Sequence, residues 1–274
     1  MRTKIFLFLL ILASVSVHAA KTTKLIILHT NDTHSQVEPI ESSDLGGYAR
    51  RLGVINKIRS EEKNVLLFDA GDFLQGTPYF NFFGGRVEAT ALKIMGYDAV
   101  TLGNHEFDNG MDSLAAVLTE VSLPVVNTNY DFRQTPLKSL VKPYKIIKKG
   151  GLSIGVFGVG VNLNGLAFQK NFEGLILNDP IQSAILISDY LKTSMKCDLV
   201  VCLSHLGVSS SDSSPTDYDL AAASQKIDVI IGGHSHKILV NETVKNAEGK
   251  DVVLAQMGKS GLNLGRIDLT FENR

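Results

Sequence analysis

The sequence predicts an α/β layered fold, on three observations. Apolar runs of strand length alternate with segments that carry apolar residues at helical spacing. Five of the apolar runs end in short turns holding Asp, Asn or His, and open α/β sheets place ligands and chemistry at the carboxyl ends of their strands. No internal repeat, charge block or linker interrupts the pattern, so the 274 residues read as one large domain rather than two.

In chain order, Lys24–Leu28 reads as a first strand and Gly47–Arg59 as a helix. Val65–Phe68 is a second strand, followed by a helix over Val87–Met95. Ala99–Leu102 is a third, followed by a helix over Ser113–Val121, and Leu123–Val126 is a fourth. Tyr144–Ile147 and Leu152–Val159 form a hairpin around the glycine turn Lys148–Gly151. Ile181–Met195 is a long amphipathic helix that leads into a strand over Asp198–Leu203. Ser209–Pro215, rich in Ser, Asp and Pro, is an exposed loop. Strands at Val229–Ile231, Asp251–Ala255 and Gly265–Phe271 close the chain.

Composition narrows the function classes. With 44 % apolar and 20 % charged residues the chain has the make-up of a soluble protein. A formal net charge of -1 provides no basic footprint for a nucleic-acid polymer, although nucleotides remain admissible as small substrates. No run in the body of the chain is long enough to span a bilayer. At the start, Arg2 and Lys4 precede the apolar run Ile5–Ala13, and Val17-His18-Ala19 has the small-x-small character of a cleavage site. Residues 1–19 therefore read as a signal peptide and 20–274 as the mature domain, which makes the expected location periplasmic or secreted. The weaker reading is a buried N-terminal helix. No Cys stands where a lipid anchor needs one. Cys197 and Cys202 are the only cysteines; Cys202 sits within a strand run as an apolar filler, and no disulfide framework is indicated.

The five strand ends are LIILHTNDTH, VLLFDAGD, AVTLGNHEFD, LVVCLSHLG and the run before GGHSHK. Each turn alone has a plain explanation, because Asp, Asn and Gly are routine turn and cap residues. The joint pattern is different. Of six histidines outside residues 1–19, five (His34, His105, His205, His234, His236) occupy this one kind of position. They stand with Asp32, Asp72, Asn104 and Asp108. His29 is the exception, read as a buried structural residue or as an outer partner of a ligating histidine. Nitrogen mixed with carboxylate and amide oxygen, without thiolate, suits Zn, Mn, Fe or Co, whereas Mg or Ca sites use oxygen almost throughout. Six or seven ligands suit two divalent ions, held roughly 3.5–4 Å apart by a bridging carboxylate, and Asp72 is the candidate bridge. Glu106 reads as support for its turn. Phe73, Gln75, Tyr79 and Phe80 either line a substrate mouth or pack their loop.

These residues carry a resemblance. The segments DTH, GDFLQGTP, GNHEFD, SHLG and GGHSH, in this order, resemble the calcineurin-like metallophosphoesterases, and ILHTNDTH with GNHEFD resembles the catalytic domain of secreted 5'-nucleotidases. The likeness runs from about Lys24 to Phe271. It implies an αββα sandwich of two mixed sheets flanked by helices. It implies that Asp32, His34, Asp72 and His236 bind one metal and Asp72, Asn104, His205 and His234 a second. His105 matches the family's catalytic histidine, Asp108 the carboxylate that orients it, and Asn104 with His105 would meet the phosphate. Hydrolysis of a phosphomonoester needs neutralised oxygens and a strong nucleophile at neutral pH, and two cations supply both by charge and by acidifying a bound water.

The resemblance also implies a C-terminal domain for nucleoside recognition, which the 274 residues do not contain. Three readings of the substrate and partner follow: a phosphohydrolase for 5'-nucleotides or related nucleotides acting alone, the catalytic half of a split nucleotidase that needs a separate substrate-binding chain, and a cyclic-nucleotide phosphodiesterase. An exported metal-stabilised binding protein is the reading from outside the enzyme class.

Overall fold

The computed structural model describes residues 22–209 and 214–272. The segment read as a signal peptide lies outside the described residues, as do residues 210–213 of the expected loop. The strands are β1 (Thr22–Thr30), β2 (Val65–Asp69), β3 (Ala99–Val100), β4 (Val125–Val126), β5 (Tyr130–Asp131), β6 (Val141–Lys142), β7 (Tyr144–Lys149), β8 (Leu152–Gly160), β9 (Ile176–Leu177), β10 (Leu199–His205), β11 (Val229–Ile231), β12 (Ile238–Lys245), β13 (Asp251–Met257) and β14 (Gly265–Glu272). The α-helices are α1 (Tyr48–Glu61), α2 (Pro78–Phe83), α3 (Arg86–Met95), α4 (Gly110–Val121), α5 (Pro180–Thr193) and α6 (Asp217–Ala223).

One sheet has the order β14-β1-β2-β3-β4-β6 and the other β12-β13-β11-β10-β8-β7; β5 and β9 make a small third pairing. In both large sheets the interior pairs are parallel, while β14, β7 and β12 join their neighbours antiparallel. Parallel strands buried on both faces read as continuous apolar runs, and β8 and β10 are buried along their whole lengths.

The strand period of two sorts these runs into layers. On β1, Leu25 and Ile27 face the second sheet, where they meet Ile154, Val156, Val201 and Leu203. Ile26 and Leu28 face the other way, onto α1, α3 and α4 through Ile55, Leu92 and Leu114. On the far side, Phe157, Val200 and Ile230 pack against Ala184 and Leu191 of α5 and Leu220 of α6. The architecture is thus the four-layer αββα sandwich. Between the sheets, a Cβ at Gly158 would overlap the Thr101 hydroxyl and the Val126 carbonyl, so this strand position tolerates no side chain.

The structure corrects several boundaries. The third and fourth strands shrink to two residues each, Ala99–Val100 and Val125–Val126. The helix expected over Ser113–Val121 begins at Gly110. The helices α2 and α6 span 6 and 7 residues, too short to show a periodic pattern. Strand β12 has no counterpart in the sequence reading, because most of its positions are exposed and a bulge between Leu239 and Glu242 breaks its alternation. Cys197 and Cys202 are both buried and both free.

Candidate metal centre

Because the interior strands run parallel, their carboxyl ends share one edge of the sandwich, and the loops after β1, β2, β3, β10 and β11 gather there. The side chains these loops carry fall into three overlapping groups: Asp32, His34 and His236; His34, Asp72 and His105; and Asp72, His205 and His234. Within each group one donor atom per residue lies within 4.8 Å of the others. His34 and Asp72 each belong to two groups. His34 Nε2 is 3.0 Å from His236 Nε2. Asp32 Oδ1 is 3.4 Å from His236 Nε2 and 3.9 Å from His205 Nε2. Asp72 Oδ2 is 3.0 Å from His205 Nε2, and His234 Nδ1 is 3.1 Å from Asn104 Oδ1. His105 stands beside them with its Nδ1 2.8 Å from Asp108 Oδ2. All nine residues singled out by the strand-end pattern are therefore brought to one place.

The backbone at this edge is strained. Asp32, His34, Asp72, His234 and His236 all have positive φ, between 46° and 67°. Non-glycine residues occupy the left-handed region at a cost of order 1–3 kcal/mol each, and persist there only when the surroundings over-determine them. The surroundings do so here. Glu106, buried, accepts hydrogen bonds from Asp72 N at 2.9 Å, Leu74 N at 3.1 Å and Gly103 N at 2.6 Å, which locks the loop after β2 to the loop after β3. Asn31 accepts from Met257 N at 2.8 Å and donates to Gly258 O at 2.7 Å and Asp32 Oδ2 at 2.6 Å, so the end of β13 in the opposite sheet anchors the amide that holds that carboxylate. The His205 ring is fixed by Nδ1 donating to Ala70 O over 2.7 Å.

The electrostatics fit a cation site. Burial pushes the His34 and His234 pKa values down, with His205 adding to the effect at His234, so both rings favour the neutral form that ligates metals. Burial alone would raise the Asp72 pKa, but the charge and proximity of His205 outweigh it and hold the carboxyl below its ordinary range. For His205 burial is likewise outweighed, and Asp72 lifts it to about 10. His205 Nε2 nevertheless makes no aligned hydrogen bond, although it is buried and faces Asp72. A Cβ at Gly103 would overlap both Asp72 Oδ1 and His205 Nε2, so a residue without a side chain keeps this cradle open. The neutral His34 and His234 rings, the ionised Asp72 carboxylate and the His205 nitrogen, once it yields its proton, are donors of the kind a borderline divalent ion takes.

Other expectations resolve differently. His29 is fully buried, its ring nitrogens make no hydrogen bond, and burial lowers its pKa to about 4. It is thus a structural residue and not an outer partner to the cluster. Phe73 and Phe80 lie in the core between sheet and helices, so they pack the loop, while Tyr79 donates to Glu38 Oε1 over 2.8 Å.

The fold is that of a phosphoesterase family, and the donor set at its edge could hold metal ions. The chain belongs to the calcineurin-like phosphoesterase family, which matches residues 25–238. A 5'-nucleotidase of Diplobatis ommata is 33 % identical to it over 287 residues, covering 96 % of this chain and 48 % of the relative. The crystal structure of a 5'-nucleotidase precursor from Thermus thermophilus superposes with a TM-score of 0.82 at 34 % identity, over 91 % of this chain and 52 % of that one. The calcineurin-like phosphoesterase YfkN of Bacillus subtilis superposes with a TM-score of 0.77 at 26 % identity, over 93 % and 87 % of the two chains. The chain spans about half the length of the curated 5'-nucleotidases it matches.

Proposed function

We infer that residues 20–274 form the catalytic domain of an exported phosphomonoesterase acting on 5'-nucleotides or closely related nucleotides, with residues 1–19 as its signal peptide. The observation that carries this reading is the chain of three overlapping donor groups, joined through Asp72 and His34, at the carboxyl edge of a phosphoesterase fold. In this reading Asp32, His34, Asp72 and His236 would hold one divalent ion, and Asp72, Asn104, His205 and His234 would hold the second. Such ions, when bound, neutralise phosphate oxygens and acidify a water for attack.

The chain's own residues do the rest. Asp108 accepts a hydrogen bond from His105 Nδ1–H, which fixes the tautomer and leaves Nε2 to meet the phosphate ester. That hydrogen bond, against the opposing effect of burial, raises the His105 pKa, so the ring can carry a proton to the departing alkoxide. Asn104, one residue earlier, meets the phosphate from the same loop.

In a second reading, nucleoside recognition rests with the part of the relatives' length that the match leaves out, supplied by a further domain or by a separate substrate-binding chain. Both readings are tested on protein loaded with Mn or Zn. Hydrolysis of an activated aryl phosphate is expected, and its absence from protein holding two metal equivalents would overturn the enzymatic reading. Comparable turnover of AMP favours action alone, and weak AMP turnover that a partner domain restores favours the split enzyme.

A further inference from the structure

Gln256 is the penultimate residue of β13, one step beyond the point where Ala255 pairs with Ile231 of β11. It is 0 % exposed, and both ends of its amide are spent on the loop that follows β11. Oε1 accepts from Lys237 N at 2.7 Å and from Ser235 Oγ at 2.9 Å, while Nε2 donates to Gly233 O at 2.6 Å. The three contacts fall on residues 233, 235 and 237, which flank His234 and His236 on both sides. Those two histidines have φ values of 67° and 55°, a conformation that a loop does not keep unaided. Ser235 Oγ also accepts from Val208 N at 3.1 Å, which ties in the loop that follows His205.

We propose that Gln256 is a positioning residue that sets His234 and His236 at two separate points, and so holds the two halves of the metal centre in register. The inference rests on the metal-binding reading above. Its chemistry is specific to an amide. Lys237 N can only donate and Gly233 O can only accept, so one side chain must offer an acceptor and a donor about a single carbon. A carboxylate keeps the acceptor and turns a second lone pair toward Gly233 O; an apolar side chain of similar length leaves both backbone groups unpaired in a buried place. Nothing in this arrangement touches the reacting atoms, so the effect acts through the histidines.

The test compares the wild type, Gln256→Met and Gln256→Glu after chelator stripping, with Zn or Mn affinity measured by titration against a competing metal buffer. Changes to outer partners of ligating histidines cost about 10–100-fold in metal affinity. Gln256→Met is expected at the upper end of that range and Gln256→Glu, which keeps one acceptor, in between. Turnover of an aryl phosphate should return at saturating metal with an unchanged KM, and amide exchange should quicken at residues 233–237. Wild-type metal affinity in both variants overturns the proposal, as does an activity loss that metal fails to restore. Should Gln256→Met not fold, Ser235→Ala removes one of the three contacts and should weaken metal binding several-fold; no change there also counts against the proposal. A wild type that takes up no metal overturns the reading beneath it instead.

Discussion

Two clusters of charged residues border the first sheet, and they are built on opposite terms. On the outer face of β14, Lys24, Glu62, Arg266 and Asp268 form an alternating network: Lys24 Nζ lies 2.7 Å from Glu62 and 3.3 Å from Asp268, and Arg266 lies 3.1 Å from Glu62 and 2.7 Å from Asp268. Every charge there has a partner of opposite sign and stands in reach of water. At the carboxyl edge, Asp32 and Asp72 are buried among imidazoles, of which burial drives His34 and His234 toward neutrality while Asp72 keeps a proton on His205, on a backbone held in the left-handed region. The first cluster is satisfied and does little. The second crowds carboxylate and imidazole donors around shared points in a buried place, an arrangement that could hold cations once His205 gives up the proton that Asp72 keeps on it.

The largest effect should come from removing the shared carboxylate. Asp72→Asn is expected to strip metal from both halves of the centre, read by elemental analysis of purified protein, and to lower hydrolysis to background. Full metal occupancy in that variant would end Asp72's role as a bridge. His105→Ala should separate chemistry from binding: metal content stays at the wild-type level while turnover falls about 10²–10⁴-fold, the range for a general acid–base group. Unchanged turnover on a substrate with a poor leaving group would remove His105 from the reaction.

His29 sharpens the comparison from a third position, buried like the site but without any hydrogen-bond partner for its ring. Its folded pKa of about 4 lies below the ordinary 6.5, so the folded state refuses a proton that the unfolded chain accepts. The stability it contributes is therefore complete above pH 6.5 and is lost as the pH falls toward 4, which amounts to about 3 kcal/mol over that window. Replacing His29 by Met should flatten the acid limb of denaturant-derived stability measured without metal. Parallel profiles for the two proteins would show that the ring is not buried in its neutral form.

These regions also differ in how openly the sequence displays them. The ligand candidates are legible because each is local to its own strand end, where Asp or His after an apolar run departs from ordinary turn composition. The sheet core is legible for a similar reason: Leu25 to Leu28 and Leu199 to Leu203 are apolar without interruption because both faces are covered. What stays hidden depends on neighbours that the fold alone supplies. Gln256 looks like any polar residue in a strand until β13 is laid beside β11, and the Asn31 amide meets Met257 across 226 positions of chain. Strand β12 is hidden for another reason: its apolar residues Ile238 and Val240 lie exposed on an edge and carry no burial period.

The smallest effect belongs to the network on β14. Glu62→Gln removes the carboxylate that both Lys24 and Arg266 reach, yet each cation keeps Asp268 as an alternative partner. Exposed ion pairs gain little in high dielectric and spend side-chain entropy to hold their geometry. Thermal unfolding of this variant should coincide with that of the wild type, at low salt as at high salt. A clear drop in Tm confined to low ionic strength would mean that this network, and not only the strand-end cluster, carries electrostatic weight. The contrast drawn between the two regions would then be one of degree, because a satisfied exposed network would be contributing what the physics of screening assigns only to buried charge.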